Sequence, residues 1–243
     1  MSLTVTVLGC AGSFPGPGDA CSGYLVRTPQ ANTLIDLGSG VLANLQVHVP
    51  IDELDAILLT HHHPDHWLDL AILRTALRHV LDIEGLPVLG TAGVYERAKL
   101  LMGDLAPTFR WTTLRRSSTL QIGDQALRFA VTDHPVETFA VRVEAEGRAL
   151  VYTADTGPDW LPGDLVTDAD LLLCEATLSK SEEGSVQHLS GRQAGALARE
   201  EGVKRLVLTH LAPGIDPTTQ RDEAAAAFGD AVELAHTHLT LTV

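Results

Sequence analysis

Apolar residues recur along the chain at two periods, and the switches between them divide it into elements. Leu3 to Leu8 alternates Leu, Val and Thr as a strand does, Ser22 to Arg27 and Asn32 to Asp36 follow as strands, and Gly38-Ser39-Gly40 opens a short helix through about Val47. Asp55 to Thr60 is again a strand. The segment Trp67 to Leu81 then spaces Leu68, Ile72, Leu73, Leu77 and Val80 by three and four residues, which predicts an amphipathic helix packed on a sheet. Pro87 to Leu89 reads as a short strand, and Thr91 caps a helix through about Met102. Gly103 to Ser118 follows neither period; its Phe109, Trp111 and Arg115-Arg116 suit a packed loop with solvated arginines better than a substrate lip. Strands return at Leu120 to Ile122, Ala126 to Thr132, Phe139 to Glu144, Ala149 to Thr153 and Leu171 to Glu175. Ser190 caps a helix from Gly191 to Glu201, and Arg205 to Thr209 is a strand that ends at His210.

Chemistry-bearing residues collect where these strands stop. Thr60-His61-His62-His63-Pro64-Asp65-His66-Trp67 follows the apolar run Ala56 to Leu59 and places His61, His63, Asp65 and His66 within six residues. A turn there can aim several imidazoles and a carboxylate at one point. Those donors suit borderline cations such as Zn²⁺, and a set lacking thiolate fits a catalytic better than a structural site. His62 and Pro64 are spacers, with His62 turned away from the metals. His134, Asp155, Glu175 and His210 each lie at or just past another predicted strand end. Taken singly, each is explained as a hydrogen-bonded loop residue. Their recurrence is not, because sites in α/β sheets form at the carboxyl ends of strands.

The length changes the picture little: 243 residues can bury a large core as a single domain spanning 1–243. The charge matters more. Seventeen Lys and Arg stand against 31 Asp and Glu, a formal charge of −14, and no basic stripe follows a nucleic-acid backbone. A small phosphodiester is therefore the expected partner, and a long nucleic acid is disfavoured. No apolar run approaches the roughly 20 residues of a membrane helix, and the N-terminal stretch has neither a basic start nor an apolar signal core, so a cytoplasmic location is expected. Cys10, Cys21 and Cys174 show no pairing pattern and are expected as reduced, buried thiols. The Gly- and Pro-rich stretch Gly9 to Gly18 lacks a Gly-Lys-Ser/Thr and is not a P-loop; a plain connection is expected there rather than a substrate contact.

The set His61-x-His63-x-Asp65-His66, His134, Asp155 and His210 resembles the metallo-β-lactamase superfamily over nearly the whole chain. Glu175, the His188-Leu189-Ser190 triplet and Leu208-Thr209-His210 look like its ribonuclease Z and phosphodiesterase branch. The resemblance implies an α/β fold, a four-layer αββα sandwich with a dinuclear site at one edge of the paired sheets. It further implies that His61, His63 and His134 hold one metal, Asp65, His66 and His210 the second, and Asp155 both.

Two cations sharing a hydroxide can lower its pKa and clamp the oxygens of a phosphodiester. Asp65 is also a candidate acceptor for the proton of that water, and His188, oriented and kept cationic by Glu175, for protonating the departing alkoxide. Zn²⁺ suits the donors best, and Mn²⁺ and Fe²⁺ are compatible with them. Ribonuclease Z proteins carry a tRNA-gripping arm between the positions of His134 and Asp155. Here about twenty residues separate them, filled by two strands around Glu146-Gly147.

The expected activity is thus cleavage of small or cyclic nucleotide-type diesters, with tRNA 3′ processing the runner-up. A lactonase or other carbon-ester hydrolase needs no Glu175 and His188 pair, and a non-catalytic scaffold would be expected to have lost ligand positions. Dimers are common among the relatives, and the apolar helices are compatible with a homodimer. His48 and His79 fall on predicted helices, and His236 and His238 on one face of a C-terminal strand; none receives a role.

Overall fold

The computed structural model of the protein describes residues 2–116, 118–214 and 216–243. Met1 of the N-terminal reading and Ser117 of the 103–118 segment fall outside them. Two seven-stranded sheets face each other. The first is built from β1 (Thr4–Gly9), β2 (Gly23–Thr28), β3 (Ala31–Ile35), β4 (Ala56–Leu59), β5 (Leu86–Gly90) and β6 (Phe109–Thr113). Helices α1 (Val41–Leu45), α2 (Asp69–Ala76) and α3 (Ala92–Met102) lie between its strands in the chain. The second sheet runs β7 (Thr119–Ile122), β8 (Gln125–Val131), β9 (Phe139–Ala145), β10 (Arg148–Tyr152), β11 (Leu171–Glu175), β12 (Leu206–Thr209) and β13 (Val232–Leu234), with α4 (Gly191–Glu200) and α5 (Thr218–Phe228) interposed. The last strand, β14 (Thr240–Thr242), returns to pair with β1 in the first sheet.

The strands are apolar on both faces because both are covered. Tyr24 and Val26 point into the layer between the sheets, where they join Val141, Val143, Leu171, Leu173 and Val207, while Leu25 between them points outward. On that outer side Leu25, Leu34, Ile57 and Leu59 pack under Leu45, Leu70, Leu73, Val94 and Ala98 of the helices. The second sheet repeats the scheme, with Val151, Leu172, Cys174 and Leu208 under Ala194, Ala198 and Ala224. This is the αββα sandwich. Period-two strands sealed on both faces lose their amphipathic signature and read as apolar runs.

The structure differs from the expected elements at several points. The helix expected over Trp67 to Leu81 begins as a 3₁₀ turn at Pro64–His66, is α-helical only at α2, and ends in a π-helical turn at Leu77–Leu81. The segment Gly103 to Ser118 contains the edge strand β6, with Phe109 buried and Trp111 packed on Tyr95, so the two aromatics form no lip. His236 and His238 lie in the turn between β13 and β14, not on a strand. His48 lies in the turn after α1, where its Nε2 meets Nδ1 of His238 at 2.9 Å. All three cysteines are buried and free. No helix among the described residues is long and apolar enough to cross a membrane.

The architecture predicts where stability resides. Leu173 is fully buried between the sheets, whereas Leu100 on α3 is exposed. Leu173→Ala should cost about 2–5 kcal/mol and Leu100→Ala no more than about 0.5 kcal/mol, as read by urea denaturation of the metal-free protein.

Candidate metal centre

The strands β3, β4, β8, β10, β11 and β12 deliver their C-terminal ends to one rim of the sandwich, and every predicted site residue stands there or in an adjoining loop. At three of these exits the backbone leaves the strand through a positive φ on a non-glycine residue: Asp36, Ala154 and His210. Such conformations cost energy in an L-residue, and they cluster where surrounding structure must aim particular side chains.

The imidazoles and carboxylates form two groups around Asp155. His61 Nε2 lies 3.2 Å from His63 Nδ1, which lies 3.1 Å from His134 Nε2. Oδ2 of Asp155 faces this group, 3.5 Å from His61 Nε2 and 3.8 Å from His134 Nε2. Its other oxygen faces the second group: Oδ1 is 3.3 Å from His66 Nε2 and 3.5 Å from His210 Nε2. Asp65 Oδ2 completes that group at 3.3 Å from His210 Nε2 and 3.6 Å from His66 Nε2. His62 turns away, as expected, its ring against Gly93 and its carbonyl accepting from Trp67 Nε1.

These donors fit a pair of cations. His66 Nε2 and Asp155 Oδ1 are both buried and neither has a hydrogen-bond partner. Polar atoms stranded at such proximity, in a protein interior that normally satisfies them, mark a place for a ligand. The Nδ1 atoms of His66, His134 and His210 are held from behind. Asp36 Oδ2 accepts from His66 Nδ1 at 2.7 Å and from Tyr152 Oη at 3.2 Å, and Thr60 donates to the same carboxylate through N–H and hydroxyl. His134 Nδ1 donates to the Gln187 carbonyl at 3.3 Å. Thr177 Oγ1 accepts from His210 Nδ1 at 2.8 Å while donating to Glu175 Oε2 at 3.0 Å. Supports of this kind fix the tautomer and direction of metal-binding imidazoles.

Electrostatics follow the same division. Burial, with the nearby His66, pushes His61 down to about 3. Burial opposes the charge on His66 too, but Asp155 and Asp36 outweigh it and raise that ring. Asp155 is held well below the carboxylate range because His210, His66 and His61 outweigh its desolvation.

Glu175 and His188 sit beside the cluster. Glu175 is fully buried and accepts from Thr156 N–H at 2.9 Å and His188 Nδ1 at 2.8 Å through Oε1. The His188 ring stacks on His210 with centroids 5.4 Å apart and meets His134 edge-on at 5.3 Å. Burial works against its charge, yet the Glu175 carboxylate prevails and lifts it to about 9.

Three contributors lie outside the sequence motifs: Asp36, Thr177 and Ser13. Ser13 N–H donates to Asp65 Oδ2 at 2.7 Å, and Gly12 packs on the His210 ring. The loop expected as a plain connection therefore touches the cluster. Asp36 carried a usable signal, an acidic residue ending a predicted strand; Thr177 and Ser13 carried none.

Residues 31–211 match the family model of the beta-lactamase superfamily domain. The chain belongs to the metallo-β-lactamase superfamily. Within it, the chain is 34% identical over 245 residues to the probable metallo-hydrolase YhfI of Bacillus subtilis, covering 96% of this chain and 97% of that protein. The crystal structure of YhfI superposes with a TM-score of 0.91 at 31% identity, covering 99% of both chains. Ribonuclease Z of Methanopyrus kandleri is 28% identical over 263 residues, covering 93% of each. A diphosphatase of the PhnP family shares the superfamily fold, with a TM-score of 0.80 at 17% identity, over 99% of this chain and 98% of that one.

The Glu175 contact generates a pH prediction. A histidine raised from an ordinary 6.5 to about 9 adds stability that is complete below 6.5 and lost as pH rises through about 9. In metal-free protein, histidine NMR should show His188 cationic at pH 8, and Glu175→Gln should return its midpoint toward the ordinary range.

Proposed function

We propose that the chain is a dinuclear-metal phosphodiesterase that cleaves P–O bonds in small or cyclic nucleotide-type diesters. His61, His63 and His134 would hold one cation, Asp65, His66 and His210 the other, with Asp155 shared. Zn²⁺ matches the all-nitrogen-and-oxygen donor set, which Mn²⁺ and Fe²⁺ also suit. A cation pair supplies Lewis acidity and an activated water, the chemistry that in-line displacement at phosphorus requires.

The observation that carries the reading is the Glu175–His188 pair. Breaking a P–O ester bond leaves an alkoxide, a poor leaving group that needs a proton. His188 is a cationic imidazole stacked on His210 and tethered by a buried carboxylate, so it can deliver a proton at the cluster and regain it from solvent. Its side chain is 17% exposed, which keeps that exchange open. Asp65, already accepting from Ser13 N–H, would be the carboxylate to take a proton from attacking water. A carbon ester or lactone also releases an alkoxide, but from a tetrahedral intermediate whose collapse is easier than displacement at phosphorus, so it depends less on His188.

The connection between β9 and β10 supports a small substrate. They join through Glu146 and Gly147, both at positive φ, in a two-residue turn. No arm projects there to grip tRNA. The ribonuclease Z relative at 28% identity favours tRNA 3′ processing as the second reading; the short hairpin and the charge of −14 weigh against it.

Metal-quantified protein should contain about two cations per chain and hydrolyse bis(p-nitrophenyl) phosphate and a 2′,3′-cyclic nucleotide. Nitrophenolate departs without a proton. His188→Ala should therefore lower turnover of the nucleotide by about 10²–10⁴-fold and of the nitrophenyl diester far less. Turnover of a lactone alone would exclude P–O chemistry, and efficient 3′ trimming of a precursor tRNA would establish the second reading.

A further inference from the structure

The loop that leaves β1 holds one side chain that neither the metal cluster nor the acid–base pair uses. Gly12 lies so close to His210 that a Cβ there would stand 2.9 Å from Nδ1. Ser13 takes φ +67°, donates its N–H to Asp65, and is followed by a tight turn in which Phe14 N–H meets the Gly12 carbonyl at 2.8 Å. Phe14 thus begins about 3.8 Å, one Cα–Cα step, from a residue hydrogen-bonded to the cluster. Pro15 and Pro17 restrict the chain beyond it, and Gly16 packs near Pro213.

On this restrained turn Phe14 is 57% exposed. Every other Phe, Tyr and Trp of the chain is buried or half-buried. Scattered exposed aliphatics need no explanation. A lone exposed aromatic at the rim of a hydrolytic centre, on backbone tied to one of its carboxylates, has the form of a stacking platform. Its π-face accepts any nucleobase, and a pre-ordered loop loses little entropy when the base arrives.

We propose that Phe14 is the base-stacking residue of the site, so that the favoured diester carries a nucleobase rather than a purely aliphatic group. This rests on the phosphodiesterase reading above and names its substrate class. Phe14 positions substrate by stacking and takes no part in proton transfer.

The test compares 2′,3′-cyclic AMP with glycerol 1,2-cyclic phosphate, the same five-membered diester with and without a base, on metal-loaded protein. Phe14→Ala should raise KM for the nucleotide by roughly 5- to 100-fold, the range of one base–aromatic stack. It should leave kcat for the nucleotide and both constants for the glycerol diester unchanged, and Phe14→Trp should restore nucleotide KM. Equal losses on both diesters, or no loss on either, would overturn the proposal. Calorimetric binding of AMP and glycerol phosphate separates this inference from the one beneath it. If neither diester is turned over, the phosphodiesterase reading falls, while Phe14 still stands if Phe14→Ala weakens AMP alone and fails if AMP binding is unmoved.

Discussion

One buried carboxylate holds the site together. Asp155 turns Oδ2 toward His61 and His134 and Oδ1 toward His66 and His210, and burial there would neutralise it were it not surrounded by imidazoles. A carboxylate shared in this way sets the distance between the two donor groups. It also explains the stranded atoms. Nitrogen and oxygen donors that face inward in a dry space without hydrogen-bond partners are matched by cations.

The cluster exists only because the sheets face each other. His61, His63, Asp65 and His66 enter from the end of β4, in the first sheet, and His134, Asp155 and His210 from the second. Two hydroxyl contacts lock the halves together beneath the cluster: Tyr152 Oη to Asp36 at 3.2 Å, and Tyr24 Oη with Thr209 Oγ1 at 2.6 Å. Tyr24 and Tyr152 also pack ring on ring, centroids 4.6 Å apart. Through Asp36, that inter-sheet layer reaches His66 directly, so core packing and donor geometry are one problem. A polar network in such a layer rigidifies when every member is satisfied.

What could be read from the chain depended on how locally each signal was written. The His61 to His66 pattern is dense, so the sequence alone exposed it. His134, Asp155, Glu175 and His210 were legible because apolar runs mark where strands end. The four layers came instead from the resemblance that these residues carry. By contrast α5, whose apolar residues are four alanines and Phe228, offers almost no stripe, and β6 is an edge strand with Arg110, Thr112 and Thr113 exposed. Neither pattern separates from a loop. Thr177 and Ser13 act through hydrogen bonds formed only after distant segments meet, and Ser13 uses its backbone, which no residue type reveals. The turn that carries His236 and His238 alternates like a strand without being one.

Asp155 stands between two separate donor sets. Anomalous diffraction from crystals of metal-loaded protein tests this most directly. Two peaks are predicted, one among His61, His63 and His134 and one among Asp65, His66 and His210, with an Asp155 oxygen on each and His188 bound to neither. A single peak, or His188 taking a ligand position in place of Asp155, would contradict it.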